Sequence, residues 1–533
     1  MGVGRWLASL AAITLAAAVA GCTDGNPSLG DDAGVADEVP VVGGTLRLGL
    51  TRLESLDPAA ASPESPAASI AADLLFDGLT VMPTGADRAA PALASEWNTL
   101  DDGRTWRFVL ASNARFTDGR AVTASDVEYS LERVVLHGGA SLAASRLDAV
   151  NGYNEFVGGQ ITDLPGVRVM EGSSTTVEIV LDRPLATLPE LLASPAYGVM
   201  PRGAADDPAF ANGVPVGSGP FVVAARDGDI VHLARAAEGD SYVDGIDLHV
   251  FDDAVASYAA FTEGRVDWTL VPRGQVDRAA EAYGVEGFLP SQAALLLGFN
   301  LASPTFADVR FRQAIAAAID RVAIVNAVYF GVATPLAGLV PAGVPGHDPG
   351  RCLDSCGHSP DLARDLLAQA YPDGAVPEVV FDYDEGQNEA AVAGIVEQNL
   401  ELVGIPVTPR PHPPDQYGRF AVSGEQQLFR LGWLGLYPSP DAYLAPLFAT
   451  GSPDNVFGFS DAAVDGLLAQ MAAAADPDAR QQLAADAEAA ILAQAPVVPI
   501  AQFRLLTVAA PGVRDLVLSV ASTFDAERVW LAR

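Results

Sequence analysis

Residues 92–134 read ALASEWNTLDDGRTWRFVLASNARFTDGRAVTASDVEYSLERV and carry the clearest structural signals of the chain. Trp106, Phe108 and Leu110 occupy alternate positions, so their side chains fall on one face of an extended chain. This pattern predicts a strand with one buried face, which runs on to a turn at Asp118-Gly119.

The same stretch continues into a helix. Thr123 stands at its predicted start and Asp126 follows three residues later, the spacing of a capping box that satisfies backbone N–H groups at a helix start. Val127, Leu131 and Val134 recur at helical spacing and predict a helix with this face buried. The whole block is therefore expected to fold as strand, turn and capped helix.

Helices and strands interleave along the rest of the chain. Leu46, Leu48 and Leu50 alternate in GGTLRLGL and predict a strand, whereas residues 307–331 have apolar residues at helical spacing and predict one long helix ending at Gly331. Such interleaving is typical of an α/β or α+β protein with several lobes.

The N-terminus is typical of an export signal. Arg5 precedes an apolar run over 6–20, and small residues then lead to Cys22, so residues 1–22 are expected to be a lipoprotein signal peptide. AVAGC resembles a bacterial lipobox, in which the cysteine is acylated, and an ordinary signal peptide with an incidental cysteine is the alternative. Residues 23–43, rich in Gly, Asp and Pro, are expected to form a flexible stalk.

Composition bounds the class of protein. A chain of 533 residues is long enough for two or three lobes, each with its own core. All 31 basic side chains are arginine, and 67 acids give a formal charge of −36, which argues against a nucleic-acid partner because phosphates would be repelled.

Two cysteines remain beyond the N-terminal one. Cys352 and Cys356, four residues apart, are expected to form a small disulfide loop in an oxidising compartment. His347 and His358 flank the pair and leave a metal site as the alternative, although the spacing matches no common zinc pattern.

Enzymatic motifs are absent from the sequence. There is no GxSxG, HExxH, P-loop or GxGxxG motif, and the six histidines are scattered without helical pairing. A secreted, acidic body with aromatic residues in proline-rich loops favours capture of a small ligand in a cleft between lobes, with no cofactor.

The quoted block resembles the corresponding block of the family-5 extracellular solute-binding proteins, the substrate-binding lipoproteins of peptide and oligopeptide ABC importers. The family likewise has a Trp, an acidic-Gly turn, an aromatic strand, F-x-D-G and T-A-x-D-V before a helix. Further matches are SLDP at 55–58, VGSGPF at 216–221, FRQAIAAAIDR at 311–321 and RLGWLGLYPSPDAYL at 430–444.

The resemblance implies an α/β, multi-lobed periplasmic-binding-protein-like fold of type II, cluster C, with an inter-lobe ligand cleft and a hinge. The first lobe would combine residues 44–80, 206–290 and 496–533. The second lobe would be 81–205 and the third 291–495, so that two crossings join the first and third lobes.

The resemblance also assigns ligand-binding residues. In peptide-binding members a Trp lines the cleft, and an Asp three residues later pairs with the peptide's ammonium group. Trp433 matches the Trp, but Leu436 stands at the acid's position, which argues against ordinary recognition of a free N-terminus. Arg430 matches an arginine that meets a ligand carboxylate in some members, an ion pair being the alternative, and Tyr437 is a further candidate.

Three polar residues complete the set of candidates. Glu64 is a candidate substitute for the missing acid, with a solvated loop acid as the alternative. Asn300 and Asn455 are expected near the cleft, and both are equally compatible with a role in turns.

The function implied is capture of a peptide or peptide-sized solute outside the cell membrane and its delivery to a permease and ATPase complex. The protein would be a monomer held at the membrane through its lipid anchor. A non-transporting sensor or adhesion lipoprotein of the same fold and an extracytoplasmic hydrolase are the alternatives.

Overall fold

The structure, a computed structural model, describes residues 39–532 except 63–64, 139–140, 238, 353–355 and 520–521. Its strands in chain order are β1 Thr45–Thr51, β2 Thr80–Val81, β3 Ala90–Pro91, β4 Ala94–Leu100, β5 Thr105–Leu110, β6 Val167–Val169, β7 Thr176–Val180, β8 Phe221–Asp227, β9 Ile230–Arg235, β10 Gly245–Phe251, β11 Trp268–Leu270, β12 Phe288–Phe299, β13 Ala333–Pro335, β14 Val379–Asp384, β15 Val407–His412, β16 Leu428–Leu434, β17 Val497–Ala509, β18 Val513–Arg514 and β19 Trp530–Leu531.

The α-helices lie between these strands and complete an α/β arrangement, as expected from the sequence. They are α1 Pro66–Leu75, α2 Ala124–Gly138, α3 Leu142–Ser145, α4 Tyr153–Val157, α5 Leu188–Leu191, α6 Pro208–Ala211, α7 Ala254–Thr262, α8 Val276–Tyr283, α9 Val309–Ala318, α10 Arg321–Ile324, α11 Pro360–Ala370, α12 Gln387–Leu402, α13 Pro414–Ala421, α14 Asp441–Phe448, α15 Ala462–Ala473 and α16 Pro477–Gln494.

Residues 92–134 form β4, β5 and α2, as predicted. Trp106, Phe108 and Leu110 are buried on one face of β5. At the start of α2 the backbone N–H of Thr123 donates to the Asp126 carboxylate at 2.8 Å, which is one half of the expected capping box. Strands β4, β5, β7 and β6 make a four-stranded sheet in that order.

A second, larger sheet has the strand order β15-β14-β16-β12-β17-β11-β1-β10-β9-β8, with β13 also paired to β17. Strands β1, β10 and β11 run parallel, and so do β14, β15 and β16. Each of the two groups needs helical crossovers, which the interleaved helices supply.

Strands β12 and β17 connect the two halves of this sheet. Their antiparallel pairing is interrupted between Pro290 and Ala294, beside the position where the first lobe is predicted to pass into the third. A bulge at such a crossing bends the strands locally. The lobe boundaries themselves stay a prediction.

The prediction of one long helix over 307–331 is wrong in the middle of that range. The helix α9 ends at Ala318, Ile319 is extended, and the Asp320 carboxylate accepts the backbone N–H of Ala323 at 2.9 Å to begin α10. A side-chain cap of this kind competes with helix continuation. Val322 is therefore 56% exposed, although its spacing placed it on the buried face.

The largest apolar cluster extends across the predicted boundary between the second and third lobes. Phe108 of β5 and Leu131 of α2 belong to the same cluster as Phe429 of β16 and Phe448 of α14. Among the described residues, no helix combines the length and apolar character that a membrane span needs.

Candidate functional site

Trp433 lies near the end of β16, opposite Ala294 of the neighbouring strand β12. Its indole N–H donates to the carbonyl oxygen of Ala442 at 2.9 Å, and the partly exposed ring packs against the largest apolar cluster. An indole held this way has a fixed orientation with part of its surface open, as a ligand wall requires.

Arg146, at the end of α3, covers the ring of Trp433. The guanidinium carbon lies 4.8 Å from the ring centroid, within the range of a cation–π interaction. Nη1 of Arg146 donates to the carboxylate of Asp454 at 2.9 Å, and only 12% of the Arg146 side chain is exposed. The second predicted lobe thus contributes a cation to the surface around Trp433.

Arg430 lies on the opposite face of β16 from Trp433. The two residues are three apart in an unbroken strand, and side chains alternate between faces. The guanidinium of Arg430 pairs with Asp384 at 3.0 Å and with Glu389 at 3.6 Å. The sequence-based expectation that both side chains face one solute is therefore not met, and Arg430 shows the ion-pair alternative.

Leu436 and Tyr437 are buried, with 2% and 5% of their surfaces exposed. The Tyr437 hydroxyl donates to the Asp441 carboxylate at 2.6 Å, and the hydroxyls of Thr187 and Ser439 donate to the same carboxylate. Burial, reinforced by the nearby carboxylate, raises the pKa of Tyr437 well above its ordinary value. Both side chains belong to the largest apolar cluster, against which Trp433 packs, and neither faces solvent.

The two candidate asparagines hold turns. The Asn300 amide donates to the carbonyl oxygens of Gly424 and Gln426, both at 2.9 Å. The Asn455 amide donates to the carbonyl oxygens of Ala449 and Phe459. Both residues therefore take the turn role that the sequence left open.

Glu64 and Cys22 lie outside the described residues, so the predicted substitute acid and the predicted lipidation site stay predictions. The other two cysteines are joined as a disulfide between Cys352 and Cys356, with Cα atoms 5.2 Å apart.

The flanking histidines have protein partners. A ring nitrogen of His347 lies 2.9 Å from the Val340 carbonyl oxygen, and one of His358 lies 3.4 Å from the Asp320 carboxylate. Within the described part of the chain, no group of three or more His, Cys, Asp or Glu side chains is arranged to hold a metal ion.

A contact between the predicted first and third lobes was not expected from the sequence. Arg273, which follows β11, donates to the side-chain oxygen of Asn388 at the start of α12 at 2.7 Å. Its guanidinium lies over Tyr329 and Phe330, 5.7 and 5.3 Å from the ring centroids. We call these four residues the clasp. Phe330 is largely exposed and has a positive φ of 46°, which is uncommon for an aromatic residue.

Sequence reasoning missed Arg146, Asp454 and Arg273 because each makes its contact with a distant part of the chain. Arg146 and Trp433 are 287 positions apart, and no local pattern links them. The sequence signal was present only for Asp454, which stands beside the candidate Asn455.

Comparison with known proteins identifies the class of protein. The family model for bacterial extracellular solute-binding proteins, family 5 middle, matches residues 88–455, and the chain belongs to this family. The solved structure of a periplasmic murein tripeptide binding protein, MppA, in its unliganded open form superposes with a TM-score of 0.80. It shares 22% identity, with 92% of this chain and 98% of that chain covered.

Curated relatives have similar coverage. A probable di/tripeptide-binding protein of Pseudomonas aeruginosa is 28% identical over 81% of this chain and 85% of its own length. A probable deoxycholate-binding periplasmic protein of Escherichia coli, YgiS, is also 28% identical, over 82% of this chain and 84% of its own length. The expected multi-lobed periplasmic-binding-protein-like fold of type II is thereby confirmed.

Proposed function

We propose that this protein captures a peptide or peptide-sized solute outside the cell membrane and delivers it to the permease and ATPase of an ABC importer. The observation that carries the proposal is the family match over 88–455, together with a fold that is shared along nearly the whole chain. The names of the P. aeruginosa relative and of the murein tripeptide binding protein support a peptide-sized ligand.

The protein acts as a tethered monomer and carries out no chemistry of its own. Acylation of Cys22 would hold the body at the outer face of the membrane, with residues 23–43 as a stalk. The formal charge of −36 disfavours direct adsorption to anionic lipid, so the lipid supplies the tether.

The surface around Trp433 forms part of one wall of the ligand cleft. The side chain of Leu436 is buried where peptide-binding members have their acid. Asp441 does not replace that acid, because its carboxylate already accepts hydrogen bonds from three hydroxyl groups of this chain. A ligand with a free ammonium group therefore lacks its expected partner here.

A carboxylate solute without an amine is the second candidate. The relative in E. coli is named for deoxycholate, a steroid carboxylate that has no ammonium group. The absence of the acid at Leu436 fits such a ligand as well as it fits a peptide with a blocked N-terminus.

A thermal-shift screen of the purified protein against peptides, bile acids, oligosaccharides and metal chelates tests the proposal. A ligand at a hundred times its dissociation constant stabilises the folded state by about 2.7 kcal/mol, which gives a readily measured shift. We expect peptides or bile acids to raise the melting temperature, and the substitution Trp433→Ala should reduce this shift. Stabilisation by sugars or chelates alone would contradict the proposed ligand class. Hydrolysis of a peptide by the purified protein would favour the hydrolase alternative.

A further inference from the structure

The backbone that carries Arg146 is held in place by buried contacts. At the start of α3 the Ser141 hydroxyl oxygen accepts the backbone N–H of Ala144 at 3.1 Å. The buried hydroxyl of Tyr197 donates to the carbonyl oxygen of Ala143 at 2.8 Å. These contacts fix the helix from which the guanidinium extends, so its position over Trp433 needs no ordering on ligand binding.

The partner of Arg146 is fixed as well. Asp454 belongs to a loop that the side chain of Asn455 ties together through bonds to Ala449 and Phe459. The ion pair between Arg146 and Asp454 joins this loop to α3 at 2.9 Å. The Arg146 guanidinium is thus placed from two sides.

The position over Trp433 is already taken by a cation. An aromatic face attracts one cation at close range, and a ligand ammonium brought to the same ring would meet the guanidinium of Arg146. The Asp454 carboxylate, which pairs with Arg146, offsets part of this repulsion, and Leu436 supplies no second acid. An ammonium group at this ring therefore meets a guanidinium and lacks the acid expected at Leu436.

The same guanidinium can accept an anion. A guanidinium has five N–H donors, and among the described residues Asp454 is the sole hydrogen-bond acceptor of the Arg146 side chain. The N–H donors that Asp454 does not use can bind a ligand carboxylate, which an arginine holds through two parallel bonds.

We propose that Arg146 is the specificity-determining residue of the surface around Trp433, selecting solutes that present a carboxylate there and rejecting those that present an ammonium group. Asp454 is its positioning residue. This inference rests on the proposed function as a solute receptor and assigns the chemical class of the ligand at that site.

Calorimetric titration with matched probes tests it. The probes are N-acetyl-trialanine, its C-terminal amide, free trialanine amide and deoxycholate, titrated into the parent protein and into Arg146→Gln, Arg146→Lys and Arg183→Gln. Arg183 is the matched control, because it is an exposed arginine of the same predicted lobe that is paired with Asp148. Unliganded melting temperatures establish that each variant is folded.

We expect the parent protein to bind acids in preference to the amides. Arg146→Gln should weaken binding of the acids at least tenfold and leave the acetylated amide unchanged, Arg146→Lys should keep part of the preference, and Arg183→Gln should behave as the parent. Equal weakening of acids and amides, or an unchanged preference in a folded Arg146→Gln, overturns the inference.

The probes also separate this inference from the proposed peptide ligand. Binding of deoxycholate alone, lost in Arg146→Gln, supports the role of Arg146 while the peptide proposal fails. Tight binding of free trialanine amide, unaffected by Arg146→Gln, supports a peptide receptor and overturns the role of Arg146. Failure of the parent protein to bind either acid also overturns it.

Discussion

Single residues show how burial sets the protonation of this acidic protein. Asp73 of α1 is partly buried near Asp77 and the segment around Phe524 and Asp525. Burial, with repulsion from Asp77, raises the pKa of Asp73 to about 8. Burial and the nearby Glu527 likewise raise the pKa of Asp77 to about 7. The two carboxyl groups therefore favour protonation in the folded state.

This arrangement predicts that the protein loses stability as pH rises from about 4 to 8. In that window the folded state binds more protons than the unfolded chain, whose aspartates ionise near their ordinary pKa of 3.8. Asp73→Asn should be more stable than the parent at pH 8, and its unfolding free energy should depend less on pH. Urea titrations at pH 5 and pH 8 measure both effects.

Asp118→Asn is the contrasting variant, since hydrogen bonds from Arg120 lower the pKa of Asp118 despite the opposing effect of burial. This variant should not reduce the loss of stability between pH 5 and pH 8. A parent protein that becomes more stable over this range would contradict the prediction for Asp73.

At the level of elements, the turn VGSGP at 216–220 has glycines where the chain leading into β8 passes close to the end of α1. Gly217 and Gly219 lie against the end of α1, and a Cβ atom on Gly217 would overlap the carbonyl oxygen of Leu75. The backbone N–H of Gly219 donates to that same oxygen at 3.0 Å. The turn therefore fixes the approach of β8 to α1.

Gly217→Ala should destabilise the protein by about 1–3 kcal/mol, because the new methyl group meets backbone that cannot rotate away. Urea unfolding of the parent and the variant measures the difference. Gly274→Ala is the control, since a Cβ atom there has open space and its backbone φ is not positive. Equal stability of the parent and Gly217→Ala would show that α1 shifts without cost.

At the scale of the whole molecule, the clasp connects the predicted first and third lobes beside the crossing strand β17, whose Phe503 packs against the ring of Tyr329. The bond between Arg273 and Asn388 joins the region after β11 to the start of α12. Nε of Arg273 and the hydroxyl of Tyr329 are buried with no hydrogen-bond partner among the described residues. Unpaired donors of this kind are costly, so an arrangement that pairs them would be favoured.

We predict that Arg273→Ala shifts the unliganded protein toward a more open arrangement, since it removes a contact that spans the two lobes. Small-angle scattering should show a larger radius of gyration without ligand and a larger decrease on ligand binding. Arg278→Ala, an exposed arginine on the adjacent helix α8, is the control and should match the parent. Identical scattering from Arg273→Ala and the parent would exclude this role.

Elements with local signals could be predicted from the amino-acid sequence. Alternation in β5 and helical spacing in α2 predicted both elements, because burial of one face follows directly from period and side-chain polarity. The prediction of one helix over 307–331 was wrong at Asp320, whose side chain caps a new helix. The spacing of apolar residues carries no information about such a side-chain hydrogen bond.

The candidate site was only partly accessible from the sequence. The motif identifies Trp433 and the missing acid at Leu436. Once the bounds of β16 are known, the alternation of side chains along the strand places Arg430 and Trp433 on opposite faces. Only the packing of distant segments shows that Arg146 lies over the ring and that three hydroxyl groups donate to Asp441. Contacts between residues hundreds of positions apart depend on how the sheets and helices pack, and no periodicity within one segment encodes that packing.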